Sequence, residues 1–337
     1  MLYRTLGSGE HALNVSVVAF GTLSVAPGQM HARIEPDAAT ETMLAALDSG
    51  INLFDTAPGY GDGEAERRLG AALRASGRPR EAYLVATKAG GPTLTPEEIF
   101  ADCDASLNRL GLDVIDLYQI HWHKRVVPIA ESVDAMTELV RRGKARHIGL
   151  CNSGPNDIAD ATSRGAAIVS DQVVYNLLSR AAEFALVPCC LRSRIGVLCY
   201  SPLAQGLLTG RYRSGDELPP DRARSRHFVG TRPSSRHGEP GCEPAVFAAV
   251  EAIRGIAHDA GLSMADLATA WLLHQPGVSS VLVGASRPDQ VRANACAVDI
   301  RLSDEVLRRL DATTATVKSA MGPNLDMWQG AADSRVR

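Results

Sequence analysis

The sequence predicts one α/β domain, a single (β/α)8 barrel that spans residues 1–337. Eight short, mostly apolar runs alternate with segments of helical periodicity, which is typical of parallel strands buried on both faces. A length of 337 residues is normal for such a barrel, which takes about 250 residues plus insertions. An open doubly wound sheet is the alternative, but the turn after the first run reads GTLSVAPG and lacks its GxGxxG pattern.

The predicted elements follow one another in regular order. Pro36 near the start of the first helix and Gly50, Gly111 and Gly143 after helical segments are start and stop signals. The predicted strands cover residues 15–20, 51–55, 83–88, 114–121, 145–151, 166–172, 196–200 and 278–283. The predicted helices cover residues 37–48, 64–75, 96–110, 129–142, 156–163, 183–194, 245–260, 264–274, 288–297 and 304 to about 314.

Segments at both ends of the chain add to the barrel. Residues 2–18 contain two short strand patterns around residues 7–9, and we expect a β-hairpin that caps one end of the barrel. The last predicted helices are extra helices near the C-terminus. The tail, residues 316–337, contains the apolar stretch MGPNLDMW, which predicts packing near the pocket mouth or against another subunit.

Residues 211–244 form a long irregular segment rich in Arg, Ser, Gly and Pro. A loop of this length in a compact domain is usually functional or disordered. Three interpretations stay open: a lid over a pyrophosphate, a grip on an anionic substrate, or a solvated mobile loop. The first two depend on the basic residues Arg222, Arg224, Arg226 and His227.

Composition excludes several classes of protein. A net charge of −3 gives no basic footprint for nucleic acid, and no apolar stretch reaches the ~18 residues of a membrane span. The first residues lack a cationic segment followed by an apolar one, so we expect no secretion. The seven cysteines are scattered without a CxxC pair, which disfavours zinc and disulfides and fits a reduced cytoplasmic location.

Four residues carry the candidate chemistry. Asp55, Lys88 and His121 each end a predicted strand, and Tyr60 follows Asp55 in the next loop. Active sites of such barrels lie at the carboxyl ends of the strands, so we expect these side chains to meet. A free phenol has a pKa of about 10, and a nearby ammonium group lowers that value. Lys88 is therefore expected to bring the pKa of Tyr60 toward the working pH.

This set predicts a site that protonates a carbonyl oxygen. Asp55 would pair with Lys88, His121 would orient the oxygen, and Tyr60 would donate the proton. Side chains provide no hydride, so a nicotinamide cofactor is implied, and the set is not a metal site. Each residue alone also fits an ordinary role, such as a turn cap or a packed core histidine. The prediction rests on the fact that all four residues lie at the ends of predicted strands or in the loop that follows.

Seven segments, in order along nearly the whole chain, resemble the aldo-keto reductase superfamily. They read FDTAPGYGDGEAERRLGAAL, YLVATKAG, DVIDLYQIHWH, GKARHIGLCNSG, DQVVYNLLSR, YSPLAQGLLTGRY and VLVGASRPDQVRAN. The resemblance implies an (α/β)8 barrel that binds NADPH without a Rossmann motif. Within the superfamily, the chain looks closer to the inositol- and sugar-linked bacterial branch than to the aldose reductase branch.

The resemblance also implies roles for particular residues. Asp55, Tyr60, Lys88 and His121 match the catalytic tetrad, with Tyr60 as general acid, and Trp122 matches a substrate-pocket aromatic. The implied cofactor contacts are Asn152 and Gln172 on the nicotinamide carboxamide, Tyr200 on the nicotinamide ring, Ser201, Pro202, Leu203 and Gly206 over the pyrophosphate, and Gly284, Ser286, Arg287, Gln290 and Asn294 on the adenosine phosphate and adenine.

Two details concern the strength and type of cofactor binding. Cys151 stands where the family usually has serine, and a thiol is a weaker donor, so we expect one loosened carboxamide contact without loss of binding. Ser286 and Arg287 lie just before predicted helix 288–297. A helix start favours anions and arginine suits phosphate, so we expect NADPH rather than NADH.

The expected function is NADPH-dependent reduction of an aldehyde or ketone, such as a keto-sugar, a cyclitol or a specialised metabolite, to an alcohol. Two alternatives stay open. One is a non-catalytic NADP(H)-sensing subunit, since the potassium-channel β subunits share this fold. The other is an NAD(P)-dependent dehydrogenase of sugars or cyclitols. The expected partner is a small-molecule carbonyl substrate, without nucleic acid or membrane, and the oligomeric state stays open.

Overall fold

A closed barrel of parallel strands forms the centre of the fold. The computed structural model of the chain describes residues 1–27 and 34–337. In chain order the strands are β1 (Tyr3–Leu6), β2 (Leu13–Ser16), β3 (Val18–Gly21), β4 (Leu53–Asp55), β5 (Leu84–Ala89), β6 (Ile115–Ile120), β7 (Ala145–Cys151), β8 (Ile168–Val174), β9 (Gly196–Tyr200) and β10 (Val278–Val283). Within the described residues, β3 to β10 pair in parallel with their neighbours, and β10 closes onto β3. The predicted (β/α)8 barrel is confirmed.

Helices follow the barrel strands and surround them. They are α1 (Pro36–Asp48), α2 (Glu64–Ala75), α3 (Pro96–Leu110), α4 (Ile129–Arg141), α5 (Pro155–Thr162), α6 (Leu186–Ser193), α7 (Glu243–Asp259), α8 (Met264–Leu273), α9 (Pro288–Cys296) and α10 (Asp304–Met321). The local signals are visible in α3, where the Thr95 side chain accepts from the Glu98 amide and Gly111 ends the helix at φ +66°. Two helices, α7 and α8, lie between β9 and β10 where a regular barrel has one, and α10 follows α9, so two helices are the extra ones that the sequence predicts.

The N-terminal hairpin closes the amino end of the barrel. Strands β1 and β2 pair antiparallel. Their buried residues Leu6, Leu13 and Val15 pack in one cluster with Leu53, Ala86, Leu117, Val169 and Leu198, which lie toward the starts of the barrel strands. The predicted cap is therefore present, and the carboxyl ends of the strands are left as the open end of the barrel.

The barrel strands are buried on both faces, as their continuous apolar runs indicate. All six residues of β6 and all seven of β8 are buried. Phe20, Phe54 and Tyr118 belong to the large apolar cluster that also contains Met43 of α1 and Leu69 of α2. Polar side chains near the open end therefore stand in a dry, low-dielectric setting, where their mutual contacts are strong.

Two predicted boundaries are wrong in an informative way. The run 15–20 is not one strand, because Ser16 ends β2 of the hairpin and Val18 begins β3 of the barrel. Because this run has no break in its strand pattern, the sequence does not reveal that the chain passes from the hairpin to the barrel within it. Helix α10 continues past residue 314 to Met321, because Val317 and Met321 extend the buried face that begins at Leu310.

The irregular segment 211–244 and the C-terminal tail are held to each other. Arg226 is buried, forms an ion pair with Glu239 at 2.7 Å, and donates to the carbonyl oxygens of Met321 at 2.9 Å and Asn324 at 3.1 Å. Residues 223 and 225–228 are also buried. The interpretation as a solvated loop is therefore wrong for this part of the segment.

The described residues contain no helix that is both long and apolar enough to cross a bilayer. The same residues contain no group of three or more His, Cys, Asp or Glu side chains arranged to hold a metal ion.

Candidate active site

The four candidate catalytic side chains meet at the open end of the barrel. Asp55 ends β4, Lys88 is the penultimate residue of β5, and His121 directly follows β6. The buried Lys88 Nζ donates to Asp55 Oδ1 at 2.6 Å, to the Thr56 carbonyl oxygen at 2.8 Å and to Tyr60 Oη at 3.3 Å. One ammonium group therefore links a carboxylate to a phenol, which is the arrangement that the sequence predicts.

Burial and charge act in opposite directions on this pair. Burial alone would lower the pKa of Lys88, but the charge of Asp55 and the contact with Tyr60 outweigh it and raise that pKa above its usual value. For Tyr60, burial raises the pKa above its ordinary value of 10, and Lys88 offsets only part of the rise. The expectation of a lowered pKa for Tyr60 is therefore wrong. At neutral pH this phenol carries its proton.

His121 lies beside Tyr60 as a neutral imidazole. Its ring meets the Tyr60 ring edge-on, with centroids 6.0 Å apart, and its backbone amide donates to the Ala89 carbonyl oxygen at 3.0 Å. Burial, reinforced by the charges of Lys88 and Lys124, lowers the pKa of His121 to about 3. At neutral pH the ring therefore offers one N–H donor and one acceptor nitrogen.

Two glutamine side chains support Asp55 from the barrel interior. Gln119 Nε2 donates to Asp55 Oδ2 at 3.2 Å, and Gln172 Nε2 donates to the same oxygen at 2.7 Å. The Cys151 thiol lies 3.7 Å from Gln119 Oε1. Gln119 was missed at the sequence level, although it stands two residues before His121 on β6 and strand alternation places both on one face.

The candidate nicotinamide contacts form one hydrogen-bonded group. Asn152, which directly follows β7 and has φ +54°, donates from Nδ2 to the His121 carbonyl oxygen at 3.1 Å. Tyr200, the last residue of β9, donates from Oη to Asn152 Oδ1 at 2.8 Å. The Asn152 amide donates to the Gln172 carbonyl oxygen at 2.9 Å, so the predicted pair of amides stands on adjacent strands beside the tetrad.

The segment after β9 is rich in left-handed backbone. Ser201, Ala204, Gln205 and Gly206 have φ of +53°, +46°, +58° and +101°. Left-handed backbone costs about 1 kcal/mol or more at each non-glycine residue, and it concentrates at functional sites. The Ala204 and Gly206 amides donate to the carbonyl oxygens of Ser201 and Leu203, so the predicted pyrophosphate contacts of this turn stay a prediction. Pro202 is buried and Leu203 packs against the core, so both act as supports of this turn.

The candidate adenosine-phosphate contacts lie at the end of β10 and along α9. Ser286 donates from its backbone amide at 2.9 Å and from Oγ at 3.2 Å to Gln290 Oε1. Arg287 is exposed and pairs with exposed Asp289 at 3.1 Å. Gly284 lies close to Ser24, where a Cβ would come within 3.0 Å of the serine Cβ, and Asn294 is half-buried on α9. The start of α9 thus presents a hydroxyl and a guanidinium group for a phosphate.

A cavity of about 170 Å³ lies beside Trp122 at the open end of the barrel. The Arg335 guanidinium group stacks 3.8 Å from the centroid of the Trp122 ring and forms a bidentate pair with buried Asp326 at 2.7 and 2.9 Å. The other lining residues are Arg224, Ser234, Arg236 and Trp328. The tail therefore packs at the pocket mouth, the first of its two predicted places. Arg236 and Arg335 were not singled out from the sequence.

Comparison with known proteins gives the family. The model of the Aldo/keto reductase family matches residues 17–315. The chain belongs to the aldo/keto reductase family. It is accordingly an oxidoreductase that reduces carbonyl compounds with a nicotinamide cofactor.

Individual members of the family are similar over most of their length. The NADH-specific methylglyoxal reductase of Escherichia coli is 34% identical over 88% of this chain and 94% of its own. The aldo-keto reductase YhdN of Bacillus subtilis is 32% identical over 84% and 85%. A probable voltage-gated potassium channel subunit beta of Arabidopsis thaliana is 30% identical over 89% and 92%.

Solved structures of aldo-keto reductases have the same fold. The glycerol dehydrogenase of Gluconobacter oxydans is 31% identical with a TM-score of 0.79, covering 95% of this chain and 96% of its own. A thermostable aldo-keto reductase in complex with the inhibitor epalrestat is 26% identical with a TM-score of 0.75, covering 93% and 100%.

Proposed function

We propose that this aldo/keto reductase uses NADPH to reduce a small aldehyde or ketone, with Tyr60 as the proton donor. The observation that carries the proposal is the position of Lys88, whose Nζ contacts both Asp55 Oδ1 and Tyr60 Oη in a buried setting. A lysine with only a structural role would be satisfied by Asp55 and the Thr56 carbonyl oxygen, without a phenol within hydrogen-bond distance. A phenol that must release its proton needs a charge beside it that stabilises the phenolate.

The proton travels from Tyr60 Oη to the carbonyl oxygen. Because burial keeps the pKa of Tyr60 high, the phenol is protonated before reaction and is available as a general acid. As the proton leaves, the negative charge that develops on Oη is stabilised by Lys88 at 3.3 Å. Asp55 keeps Lys88 charged and in place. When bound, the nicotinamide cofactor supplies the hydride for the carbonyl carbon.

His121 orients the substrate rather than exchanging protons with solvent. With a pKa of about 3, its imidazole is neutral at any working pH and can donate one hydrogen bond to a carbonyl oxygen. The edge-on contact with Tyr60 places both donors on one side of the site. Two donors that converge on one oxygen select the carbonyl geometry and polarise the bond.

The preference for NADPH rests on the start of α9. The side chains of Ser286 and Gln290 can hold a phosphate group, and the Arg287 guanidinium group can exchange its exposed pair with Asp289 for that phosphate. The methylglyoxal reductase of E. coli is NADH-specific, so the preference needs a direct test. Arg287→Ala should raise KM for NADPH about tenfold and leave KM for NADH within about twofold. Equal effects on the two cofactors would remove this part of the proposal.

The central experiment compares the wild-type enzyme with Tyr60→Phe on a panel of aldehydes, ketones and keto-sugars. We expect turnover by the wild type, and a loss of kcat of about 100-fold or more in Tyr60→Phe with little change in cofactor affinity. If the protein binds the cofactor but turns over none of these carbonyl compounds, the result would favour a non-catalytic sensing subunit. The potassium channel subunit beta of Arabidopsis thaliana is the relative that suggests this alternative. Faster oxidation of polyols than reduction of carbonyls would favour a dehydrogenase, as in the Gluconobacter neighbour.

A further inference from the structure

The side chain of Arg335 covers the indole of Trp122, the candidate aromatic residue of the substrate pocket. Its Cζ lies 3.8 Å from the centroid of the indole ring, and both residues line the cavity of about 170 Å³ at the open end of the barrel. Non-bonded carbon atoms are in full contact at about 3.5–4.0 Å, so no other flat group fits between the guanidinium group and the ring. The covered face of Trp122 is therefore not available to a substrate.

Asp326 holds the guanidinium group in this position. The Asp326 side chain is fully buried, and it accepts from Arg335 Nε at 2.7 Å and from Nη2 at 2.9 Å. Burial alone would raise the pKa of Asp326, but the hydrogen bonds from Arg335 and from the Trp328 amide outweigh burial and lower that pKa. The carboxylate is therefore ionised at neutral pH. The N–H edge of Arg335 is occupied by Asp326, and its flat face is occupied by Trp122.

The backbone around this ion pair is also anchored. The Arg335 carbonyl oxygen accepts from Arg125 Nη2 at 2.7 Å, on the loop after β6. The Arg226 amide donates to the carbonyl oxygen of buried Met327 at 2.9 Å, directly after Asp326. Arg335 therefore belongs to a wall built by three segments of the chain, namely the tail, the loop after β6 and the irregular segment.

The contact between Arg335 and Trp122 lies between the cavity and the reaction centre. Trp122 directly follows His121, whose ring meets Tyr60 edge-on, whereas no tetrad residue of the described structure is among those that line the cavity. Burial raises the pKa of Tyr200, the candidate nicotinamide-stacking residue, and the nearby charge of Arg335 acts in the opposite direction. A substrate that extends from Tyr60 toward the cavity therefore meets the Arg335 side chain.

Displacing Arg335 would cost more than a substrate ring could gain. An aromatic pair contributes up to about tenfold in affinity beyond the area that it buries. Leaving a buried carboxylate without its counter-charge costs a factor of about 100 or more. The ion pair of Arg335 with Asp326 therefore stays closed when a substrate binds, and the covered indole limits the size of that substrate.

We infer that Arg335 is a specificity-determining residue that ends the substrate pocket at Trp122 and restricts the enzyme to small carbonyl compounds. The inference rests on the proposed carbonyl reduction and narrows its substrate class. The reacting carbonyl group lies at Tyr60 and His121, and the rest of the substrate ends where Arg335 covers the indole. Removal of the Arg335 side chain opens this face of Trp122 to a ring.

The test compares propanal with 3-phenylpropanal, two aliphatic aldehydes that differ only by a phenyl ring at the far end. In Arg335→Ala, the ratio of kcat/KM for 3-phenylpropanal to that for propanal should rise about tenfold or more above the wild-type ratio, because the ring then packs on Trp122. Arg335→Lys is the matched control. It keeps an aliphatic stem over the indole and a charge for Asp326, so the ratio should stay within about threefold of the wild-type value.

A double variant protects the test against loss of folding. Arg335→Ala leaves the buried Asp326 carboxylate without its partner, so Arg335→Ala/Asp326→Asn is measured beside it. The amide side chain keeps an acceptor for the backbone N–H groups of Trp328 and Gln329 and carries no charge. The same rise in the ratio is expected.

An unchanged ratio in the two variants that lack the arginine, or an equal rise in Arg335→Lys, would overturn the inference while leaving carbonyl reduction intact. If neither aldehyde is reduced, the proposed function fails, and binding of 3-phenylpropan-1-ol decides the inference. Tryptophan fluorescence follows that binding, because Trp122 and Trp328 line the cavity. An affinity about tenfold higher in Arg335→Ala than in the wild type supports the inference, and equal affinity overturns it.

Discussion

Gln172 on β8 and Asp55 on β4 meet across the barrel, with Nε2 2.7 Å from Oδ2, although their strands stand four positions apart around the sheet. Gln119 on β6 adds a second donor to the same oxygen at 3.2 Å. The far side of Asp55 is thus occupied by amides, which leaves Oδ1 for Lys88. The orientation of the whole tetrad depends on this amide support.

Replacement of Gln119 by leucine tests this support. The change removes one hydrogen bond to the buried Asp55 carboxylate, so we expect kcat to fall about tenfold and the free energy of unfolding to fall by about 1–2 kcal/mol. The cofactor KM should change little. The measurement is steady-state kinetics together with denaturant unfolding.

Cys151→Ala provides the matched control for Gln119→Leu. It removes only the weak thiol contact with Gln119, so kcat should stay within about threefold of the wild type. An unchanged kcat in Gln119→Leu would show that Gln172 alone holds Asp55 in place.

The buried Lys88–Asp55 pair predicts a stability effect with a rescue. Lys88→Met leaves a buried carboxylate without its counter-charge, which should cost about 3–5 kcal/mol in the free energy of unfolding. A second change, Asp55→Asn, removes that charge and should restore most of the loss. Neither variant should recover activity, because the phenolate of Tyr60 then lacks its cation. Equal stability of the single and double variants would contradict the buried pair.

The pH dependence of reduction follows from Tyr60 and His121. The active acid is protonated Tyr60, whose pKa is raised by burial, so activity should be lost only as pH rises through that pKa, above about 10. His121, with a pKa of about 3, stays neutral as pH falls from 7 to about 5. We therefore expect kcat/KM for reduction to be flat from about pH 5 to 9. A fall centred near pH 6.5 would show instead that His121 titrates normally.

The pH dependence of the reverse reaction, alcohol oxidation, should be opposite to that of reduction. Oxidation of an alcohol needs the phenolate as base, so its rate should rise with pH toward the pKa of Tyr60. The residual activity of Tyr60→Phe should show neither trend.

A buried aspartate anchors the tail that carries Arg335. Asp157 pairs with Arg125 at 3.2 Å and with Arg337 at 3.4 Å, and accepts from the Arg337 backbone amide at 2.7 Å. Asp157→Ala should release residues 334–337 and lower the free energy of unfolding by about 1–2 kcal/mol. Hydrogen exchange should accelerate in those residues.

Asp160→Ala is the control for the tail anchor. Asp160 is on the same helix and also pairs with Arg337, at 3.2 Å, but both side chains are exposed. Exposed pairs contribute little, so hydrogen exchange of the tail should stay near the wild-type value. Similar effects of the two substitutions would indicate that the tail is not held by the buried carboxylate.

The sequence by itself determined the alternation of strands and helices and the strand ends that carry Asp55, Lys88 and His121. These features are local, since a strand or helix is encoded by periodicity and end signals within a few consecutive residues. Five predicted elements, α2, α3, β7, β9 and β10, have the same bounds in the structure for this reason. The parallel order of the strands then placed every strand-end residue at one end of the barrel.

Only the tertiary structure decided the environment of each side chain. The support of Asp55 by Gln119 and Gln172 joins strands far apart in the chain, and so does the packing of Arg335 on Trp122. The direction of the Tyr60 pKa shift depended on burial, which the identity of its neighbours does not reveal. Hydrogen bonds and desolvation act through space, so residues hundreds of positions apart determine the chemistry that local patterns only locate.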